Sequence, residues 1–212
     1  MQRIPEFQEA NAAANYQAPP RDGTRPGIFR VPLVGPRFSK LQMRTLAHHE
    51  AIPGHHFQIA LQVEMTSLPQ FRRSNPFGPM SAYTEGWGLY AEGLAAELGW
   101  YENDAVGDLG RLNSELFRAR RLVADTGIHT KHWTREQAID YGIRQAEVDR
   151  YVVMPGQACS YKIGQLKILE LRAQAKAKMG ARFSQKQFHN TILANGAIPL
   201  TLLERVVTAW SA

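Results

Sequence analysis

Four of the seven histidines lie within nine residues, in the run His48-His49-Glu50-Ala51-Ile52-Pro53-Gly54-His55-His56. A histidine followed by a glutamate and a further histidine is typical of zinc peptidases. There the imidazoles bind the metal and the glutamate takes the proton of the attacking water. The usual spacing places the two histidines at positions i and i+4 of one helix. Here the second histidine follows His49 by six or seven residues, so the run predicts a metal site of unusual spacing.

In an undistorted helix, two histidines at this spacing could not bind the same metal ion. Position i+6 lies about 9 Å further along the helix axis, too far for two imidazoles to share an ion at about 2.0–2.1 Å. Pro53 cannot donate a backbone hydrogen bond, and Gly54 tolerates conformations that other residues avoid. A Pro-Gly insertion could distort the helix and swing His55 beside His49, with His56 then pointing elsewhere, and these residues alone leave the choice between His55 and His56 open. On these nine residues alone, a solvated helix end with Pro-Gly as a stop signal remains open.

A tetrahedral catalytic metal usually takes a third protein ligand. Glu85 is the best candidate, because it lies near the start of the next strongly helical segment. Gly86 and Gly88 each cost roughly 1 kcal/mol in a helix relative to alanine, which indicates that another helix or a metal approaches closely. Glu92 could orient a ligand by a hydrogen bond. The alternative is that Glu85 only complements the dipole of a helix N-terminus.

Composition sets the broad class. A chain of 212 residues, 44% hydrophobic and 21% charged, is long enough for one domain with a sizeable core, and we take residues 1–212 as a single domain. The net charge is +6, but the Lys and Arg residues form no dense block, so no nucleic-acid partner is expected. The single cysteine, Cys159, excludes an internal disulfide framework and a Cys-based zinc site.

The chain has no apolar run of the roughly 18 residues that a membrane span needs, and its N-terminus lacks a signal-type apolar core. We therefore expect no membrane span. The compartment is not determined by these features, and a cytoplasmic location is only the default expectation.

Hydrophobic periodicity and turn residues predict a mainly α fold with at most a short edge strand or hairpin before the metal-binding helix. Capping boxes are expected at Thr134 and Ser184. An edge strand over residues 28–34, limited by Pro32, could hold an extended peptide, and a simple loop is equally open. The predicted helices cover residues 1–14, 38–62 with a break at Pro53-Gly54, 81–98, 105–123, 134–148, 158–179, 184–194 and 199–209, and a loop covers 66–79.

Several runs, in the same order, resemble the C-terminal, catalytic part of the bacterial family known as domain of unknown function 885. The runs are His49 to His56, Tyr83 to Tyr90, Arg121 to His129, Arg150 to Ala158, Ser160 to Lys167 and Asn195 to Leu200. That family is grouped with thermolysin-like zinc peptidases of the gluzincin type. The resemblance implies zinc as cofactor, bound by His49, His55 and Glu85, with Glu50 as general base.

The resemblance also implies a longer protein, since family members usually carry a large helical region before this part. The chain is therefore expected to be a fragment, a split gene product or a minimal version. A missing N-terminal helical partner or a homo-oligomer would fit that expectation.

Two further side chains could stabilise the oxyanion of a tetrahedral intermediate. His129 follows Asp125-Thr126-Gly127, which we take as a turn that aims it inward, and Tyr161 offers a phenol after the Pro155-Gly156 break. A purely structural role is as consistent with either residue.

Arg118, Arg120, Arg121 and Arg150 could bind a substrate carboxylate, and Arg121 and Arg150 are preferred because they lie in the family-like runs. Surface or ion-pair roles remain open for both.

The sequence thus predicts a zinc-dependent hydrolase, a peptidase that cleaves amide bonds in peptides or small amide substrates with a metal-activated water. The alternative is a catalytically incomplete module that docks to a partner chain and holds structural metal or none. The choice between internal and terminal cleavage is not determined by the sequence.

Overall fold

The computed structural model describes residues 1–10, 12–34, 39–74, 78 and 80–212, and it is mainly α, as predicted. Its strands are β1 (Gln2–Arg3), β2 (Asn15–Gln17) and β3 (Ile28–Val31). Its helices are α1 (Glu6–Glu9), α2 (Met43–Glu50), α3 (His55–Glu64), α4 (Gln70–Ser74), α5 (Ser81–Glu97), α6 (Ala105–Lys131), α7 (Arg135–Asp140), α8 (Gln145–Val153), α9 (Ser160–Met179), α10 (Gln185–Leu193) and α11 (Leu200–Trp210), with 3-10 turns at Gln157–Cys159 and Gly180–Arg182.

The N-terminal part forms a small sheet in the order β1-β3-β2, with β3 parallel to β1 and antiparallel to β2. The predicted strand is therefore confirmed, but its edge position is wrong. Because β3 is paired on both sides, it has no free edge to which an extended peptide could add.

The helix predicted over residues 1–14 is also wrong, apart from the single turn of α1. The Glu9 carboxylate pairs with the Arg3 guanidinium at 2.7 Å and accepts the backbone N–H of Leu33. These long-range partners and the pairing with β3 override the local helix preference. Asn11 lies outside the described residues.

Helices α5 and α9 form the centre of the main core. They cross so closely that a Cβ on Gly86 would lie 2.5 Å from the Cα of Gly164, so both positions need glycine. The buried side chains around this crossing come from α5, α9, α10, α11 and the turn before α11: Tyr83, Trp87, Tyr90, Leu94, Ile168, Leu171, Ala175, Phe188, Ile192, Leu193, Ile198, Leu203 and Val207. The predicted helices in these regions are confirmed.

Helix α6 is longer than predicted and continues to Lys131, where His132 ends it in a left-handed conformation. A second core cluster joins α6 to α7, α8 and the first 3-10 turn. The helix predicted over 134–148 is split in two at Gly142, whose φ of +96° is incompatible with a helix. The capping box of Thr134 and Gln137 is confirmed.

The predicted loop over residues 66–79 contains the short helix α4, while residues 75–77 and 79 lie outside the described part. Ser184 caps α10 by accepting the backbone N–H of Gln187, which is one half of the predicted capping box, and Pro199 directly precedes α11 as predicted. Among the described helices, none combines the length and the apolar character that crossing a membrane requires.

Candidate metal centre

The histidine run folds as two helices joined by a tight turn. Helix α2 ends at Glu50 and α3 begins at His55. Any Cβ on Gly54 would overlap the carbonyl oxygen of His49, so only glycine fits at this point. The indole Nε1 of Trp87, on α5, donates a hydrogen bond of 2.9 Å to the carbonyl of Pro53 and fixes the turn.

The turn places the imidazoles of His49 and His55 edge to face, with ring centroids 4.6 Å apart. The predicted distortion at Pro53-Gly54 is therefore confirmed, as a complete break between helices. Both imidazoles are buried, at 3% and 7% exposure.

Glu85, in the first turns of α5, faces both histidines. Its Oε2 lies 3.4 Å from Nε2 of His49 and 3.3 Å from Nε2 of His55. The three potential ligand atoms all lie within 4.8 Å of one another. The structure thus brings together the three residues that the sequence proposed as metal ligands.

The donor set fits a metal ion. Ligand atoms bound at about 2.0–2.2 Å around a tetrahedral zinc are separated by about 3.3–3.6 Å, close to both distances from Glu85. Oε2 of Glu85 is also buried without a hydrogen-bond partner in the described residues, as a metal ligand would be. Two imidazoles and one carboxylate suit zinc, and other divalent transition metals accept the same donors.

His49 is held from behind by Glu92, two turns after Glu85 on α5. Nδ1 of His49 donates to Oε1 of Glu92 at 2.7 Å, which leaves Nε2 to face Glu85. The other carboxylate oxygen of Glu92 accepts the hydroxyl of Ser114 at 2.8 Å. A carboxylate behind a ligating histidine is typical of zinc sites.

Ser114 and Arg118, both on α6, contact the Glu92 carboxylate, and the sequence did not indicate these contacts. Nη1 of Arg118 donates to Oγ of Ser114, and its Nη2 lies 3.9 Å from Glu92. Burial by itself raises the pKa of Glu92, but the hydrogen bond from His49 and the charge of Arg118 hold that pKa below its usual value. The four-residue spacing of Ser114 and Arg118 puts them on one helix face. This spacing is the only local sequence feature that could have pointed to their shared contact with Glu92.

Without a metal, burial and the neighbouring side chains shift the pKa values of His49 and Glu85. Burial alone lowers the pKa of His49, but the neighbouring carboxylates of Glu85 and Glu92 outweigh it and raise this pKa to about 9. Burial would raise the pKa of Glu85, yet the adjacent imidazoles of His49 and His55 keep it far below its ordinary value. Because a metal ion binds the deprotonated imidazole, a metal at this site would compete with the proton on His49.

Glu50 is the last residue of α2, directly after His49, and is 8% exposed. Burial raises the pKa of its carboxyl, while the charges of His49 and His55 act in the opposite direction. A carboxylate of raised pKa beside the cluster, yet outside the three-residue ligand set, is suited to accept a proton.

His56 belongs to a different contact. Its Nδ1 lies 3.0 Å from the hydroxyl of Tyr16, on β2, and the two rings pack edge to face. The N-terminal sheet thus holds His56 away from the cluster. The geometry assigns the second histidine of the cluster as His55, and the prediction that His56 points elsewhere is confirmed.

The two residues predicted to stabilise the oxyanion lie in different places. The ring of Tyr161, at the start of α9, stacks on the imidazole of His49 at 6.1 Å and 24°. Burial raises the pKa of Tyr161, so its phenol stays protonated and able to donate.

His129 lies within α6, so the predicted turn at Asp125-Thr126-Gly127 is wrong. Its Nε2 lies 3.0 Å from the carbonyl oxygen of Tyr151. None of the contacts found in the described residues joins His129 to the metal cluster, so its catalytic role stays a prediction without a supporting contact.

The two predicted substrate-binding arginines meet at one carboxylate. Arg121 and Arg150 each donate an Nη2–H to Oε2 of Glu147, at 2.8 and 2.9 Å. Arg121 also lies over the ring of Tyr161, at 4.7 Å, whereas Arg150 donates to Gln157. Arg121 is thus linked to His49 through the ring of Tyr161, and Arg150 is the more exposed of the two arginines.

Fold and site together define a mainly α protein with a buried His-His-Glu cluster suited to a divalent metal. The family model described as "Bacterial protein of unknown function (DUF885)" matches residues 1–207, and the chain belongs to that family.

The solved structures that are similar to the chain include the following two. The first, from Colwellia psychrerythraea and described as a "putative lipoprotein", is 48% identical over 100% of this chain, with a TM-score of 0.92. The second, from Shewanella oneidensis and described in the same words with "of unknown function" added, is 26% identical over 92% of this chain, with a TM-score of 0.77. The matches cover 38% and 39% of those two chains, so the present chain spans about two fifths of their length. No curated protein matches the chain.

Proposed function

We propose that the chain is the catalytic part of a zinc-dependent hydrolase that cleaves amide bonds in peptides. The observation that carries the proposal is the convergence of His49, His55 and Glu85, from α2, α3 and α5, within 4.8 Å. Three protein ligands leave a tetrahedral ion one open position, which is the arrangement of catalytic rather than structural zinc sites. A zinc ion held there would supply a Lewis acid and lower the pKa of a bound water to about 7.

Glu50 acts as general base in this proposal. Its carboxyl follows a ligand directly, and its raised pKa brings it closer to the operating range of a proton carrier. Glu50 takes a proton from the attacking water and later delivers it to the departing amine. Burial keeps this transfer away from bulk solvent.

Tyr161 supplies the donor for the oxyanion that develops as water attacks. Its ring stacks on that of His49, with 6.1 Å between the centroids, and its raised pKa keeps the phenol protonated at neutral pH. Preorganised donors of this kind contribute on the order of 10²–10³ in rate.

The experiment is a comparison of metal content and peptide hydrolysis in the parent and in Glu50→Gln. The parent should hold about one zinc per chain, as one three-ligand site requires. Glu50→Gln should keep the zinc and lose roughly 10²–10⁴-fold in kcat, the usual contribution of a general base. Equal hydrolysis by parent and variant would remove Glu50 from this role.

A second candidate is the partner-docking module, and one feature favours it. Helix α6 carries an exposed apolar row at three- and four-residue steps, formed by Leu109, Leu112 and Leu116 at 52%, 49% and 51% exposure. Such rows mark protein interfaces when they are extensive. Sedimentation of the purified chain separates the candidates, since a monodisperse monomer with peptidase activity leaves the docking module without support.

A further inference from the structure

The Arg121 side chain interacts with Glu147 and with the phenols of Tyr151 and Tyr161, and two of its nitrogens still have no acceptor among the described residues. It is more than nine-tenths buried, yet neither Nε nor Nη1 has an acceptor in hydrogen-bonding geometry in the described part of the chain. Buried donors without an acceptor cost free energy, and in native proteins they are usually met by a water, an ion or a ligand. Arg121 therefore has donors left for a second anionic group besides Glu147.

The surroundings of Arg121 fix its position and leave a surplus of positive charge. The guanidinium lies 4.4 Å from the ring centroid of Phe117 and 4.7 Å from that of Tyr161. Arg121 and Arg150 share the single carboxylate of Glu147, so the three groups together carry a net positive charge. A held, charged guanidinium is the preferred partner of a carboxylate.

The distance between Arg121 and the metal cluster limits which carboxylate of a substrate could bind to Arg121. The Tyr161 ring lies 6.1 Å from the His49 ring and 4.7 Å from the Arg121 guanidinium. An extended peptide covers about 3.3–3.6 Å per residue, so the two steps together span no more than about three residues. A carboxylate on Arg121 would lie within that distance of a bond cleaved beside His49.

We propose that Arg121 binds the C-terminal carboxylate of the substrate, which makes the chain an exopeptidase that removes about one to three residues from the carboxyl end of peptides. This inference rests on the proposed function and adds its substrate class. Arg150 is not equivalent, because it is more exposed and its two terminal nitrogens are already bound by Gln157 and Glu147.

The test measures binding first, so that it does not depend on turnover. The probes are N-benzoylglycyl-phenylalanine and its C-terminal carboxamide, titrated calorimetrically into the metal-free chain. The parent should bind the acid at least about tenfold more tightly than the amide, since a hydrogen bond between charged groups contributes that much. Arg121→Met, which keeps the apolar stem between the rings, should bind both probes equally.

A matched control is Arg144→Met, which removes an exposed arginine next to the same Phe117 ring, 5.6 Å from its centroid. The control should keep the preference for the acid. If Arg121→Met does not fold, Arg121→Lys keeps the charge but loses the fork of donors, and should lower the preference severalfold. Equal binding of acid and amide by the parent, or a preference that survives in the Arg121 variants, would overturn the proposal.

Hydrolysis of the same probes by the zinc-loaded chain separates this inference from the proposed function. Faster cleavage of the acid than of the amide, lost in Arg121→Met, supports both. If neither probe nor longer peptides are cleaved, the hydrolase proposal fails, and the binding preference still decides the carboxylate site. Cleavage of acid and amide at equal rates retains the hydrolase and overturns the exopeptidase assignment.

Discussion

Gly88 lies directly against the imidazole of His49. A Cβ built on Gly88 would stand 2.6 Å from Cε1 and 2.8 Å from Nε2 of that ring, closer than any real contact allows. The missing side chain on α5 is therefore what leaves room for the His49 ring of α2 in the cluster. The expectation that Gly86 and Gly88 mark close approaches is confirmed at both positions, with α9 as the neighbour of Gly86.

Gly88→Ala should displace the His49 ring and weaken metal binding. Overpacking of this kind costs on the order of 1–3 kcal/mol, and the shift of the ring adds a loss of zinc affinity. The matched control is Gly93→Ala on the same helix, where a Cβ would meet nothing within 4 Å. That change should instead stabilise the chain by about 0.4–1 kcal/mol. Thermal unfolding and zinc titration check both, and identical behaviour of the two variants would contradict the packing argument.

A comparison of His55→Ala with His56→Ala should show which of the two histidines binds the metal. His55→Ala removes a cluster member and should lower zinc affinity by more than the roughly 10–100-fold that loss of an outer partner causes. His56→Ala removes only a contact to Tyr16 and should keep the metal. Zinc content after dialysis is the measurement. Retention of zinc by His55→Ala together with its loss in His56→Ala would reverse the assignment.

Glu92→Gln should reduce zinc affinity by about 10–100-fold without removing a ligand. The amide accepts the Nδ1–H of His49 more weakly than a carboxylate does, so the imidazole becomes a poorer donor to the metal. Glu97→Gln, on the same helix and paired with Arg172, is the control and should leave zinc affinity unchanged. A competition titration with a chelator measures both. If both variants bind zinc as the parent does, Glu92 does not support the ligand.

Metal binding and stability should depend on pH in opposite directions. In the metal-free fold the pKa of His49 is about 9, above its unfolded value of 6.5. Its protonated form therefore contributes stability that is fully present below pH 6.5 and is lost as the pH rises through about 9. We expect the Tm of the metal-free chain to fall over this range, while zinc affinity rises because the metal displaces the proton. A flat Tm between pH 6.5 and 9 would count against a protonated His49.

Much of the candidate site is visible in the sequence because its chemistry is concentrated in short runs. His49, Glu50 and His55 lie within seven residues, and Glu85 opens a helix with a strong periodic pattern. Pro53-Gly54 also explains the unusual spacing of His49 and His55, since both residues disturb a helix in known ways. The ligand set could therefore be proposed before any coordinates.

The remaining features depend on contacts between residues far apart in the chain. Tyr16 and His56 are 40 residues apart, and Ser114 and Glu92 are 22 apart, so no local pattern connects them. Two strands of the N-terminal sheet, β1 and β2, escaped prediction for the same reason, because they are strands only when paired with β3.

The sequence by itself determined the helical class and the residues able to bind a metal, because periodicity and residue type are local properties. Tertiary structure alone decided that the turn after Glu50 is a full break, that α6 continues through His129, and that Arg121 rather than Arg150 lies beside Tyr161. These outcomes depend on packing between elements, whose free energies are summed over the whole core and are not contained in any single segment.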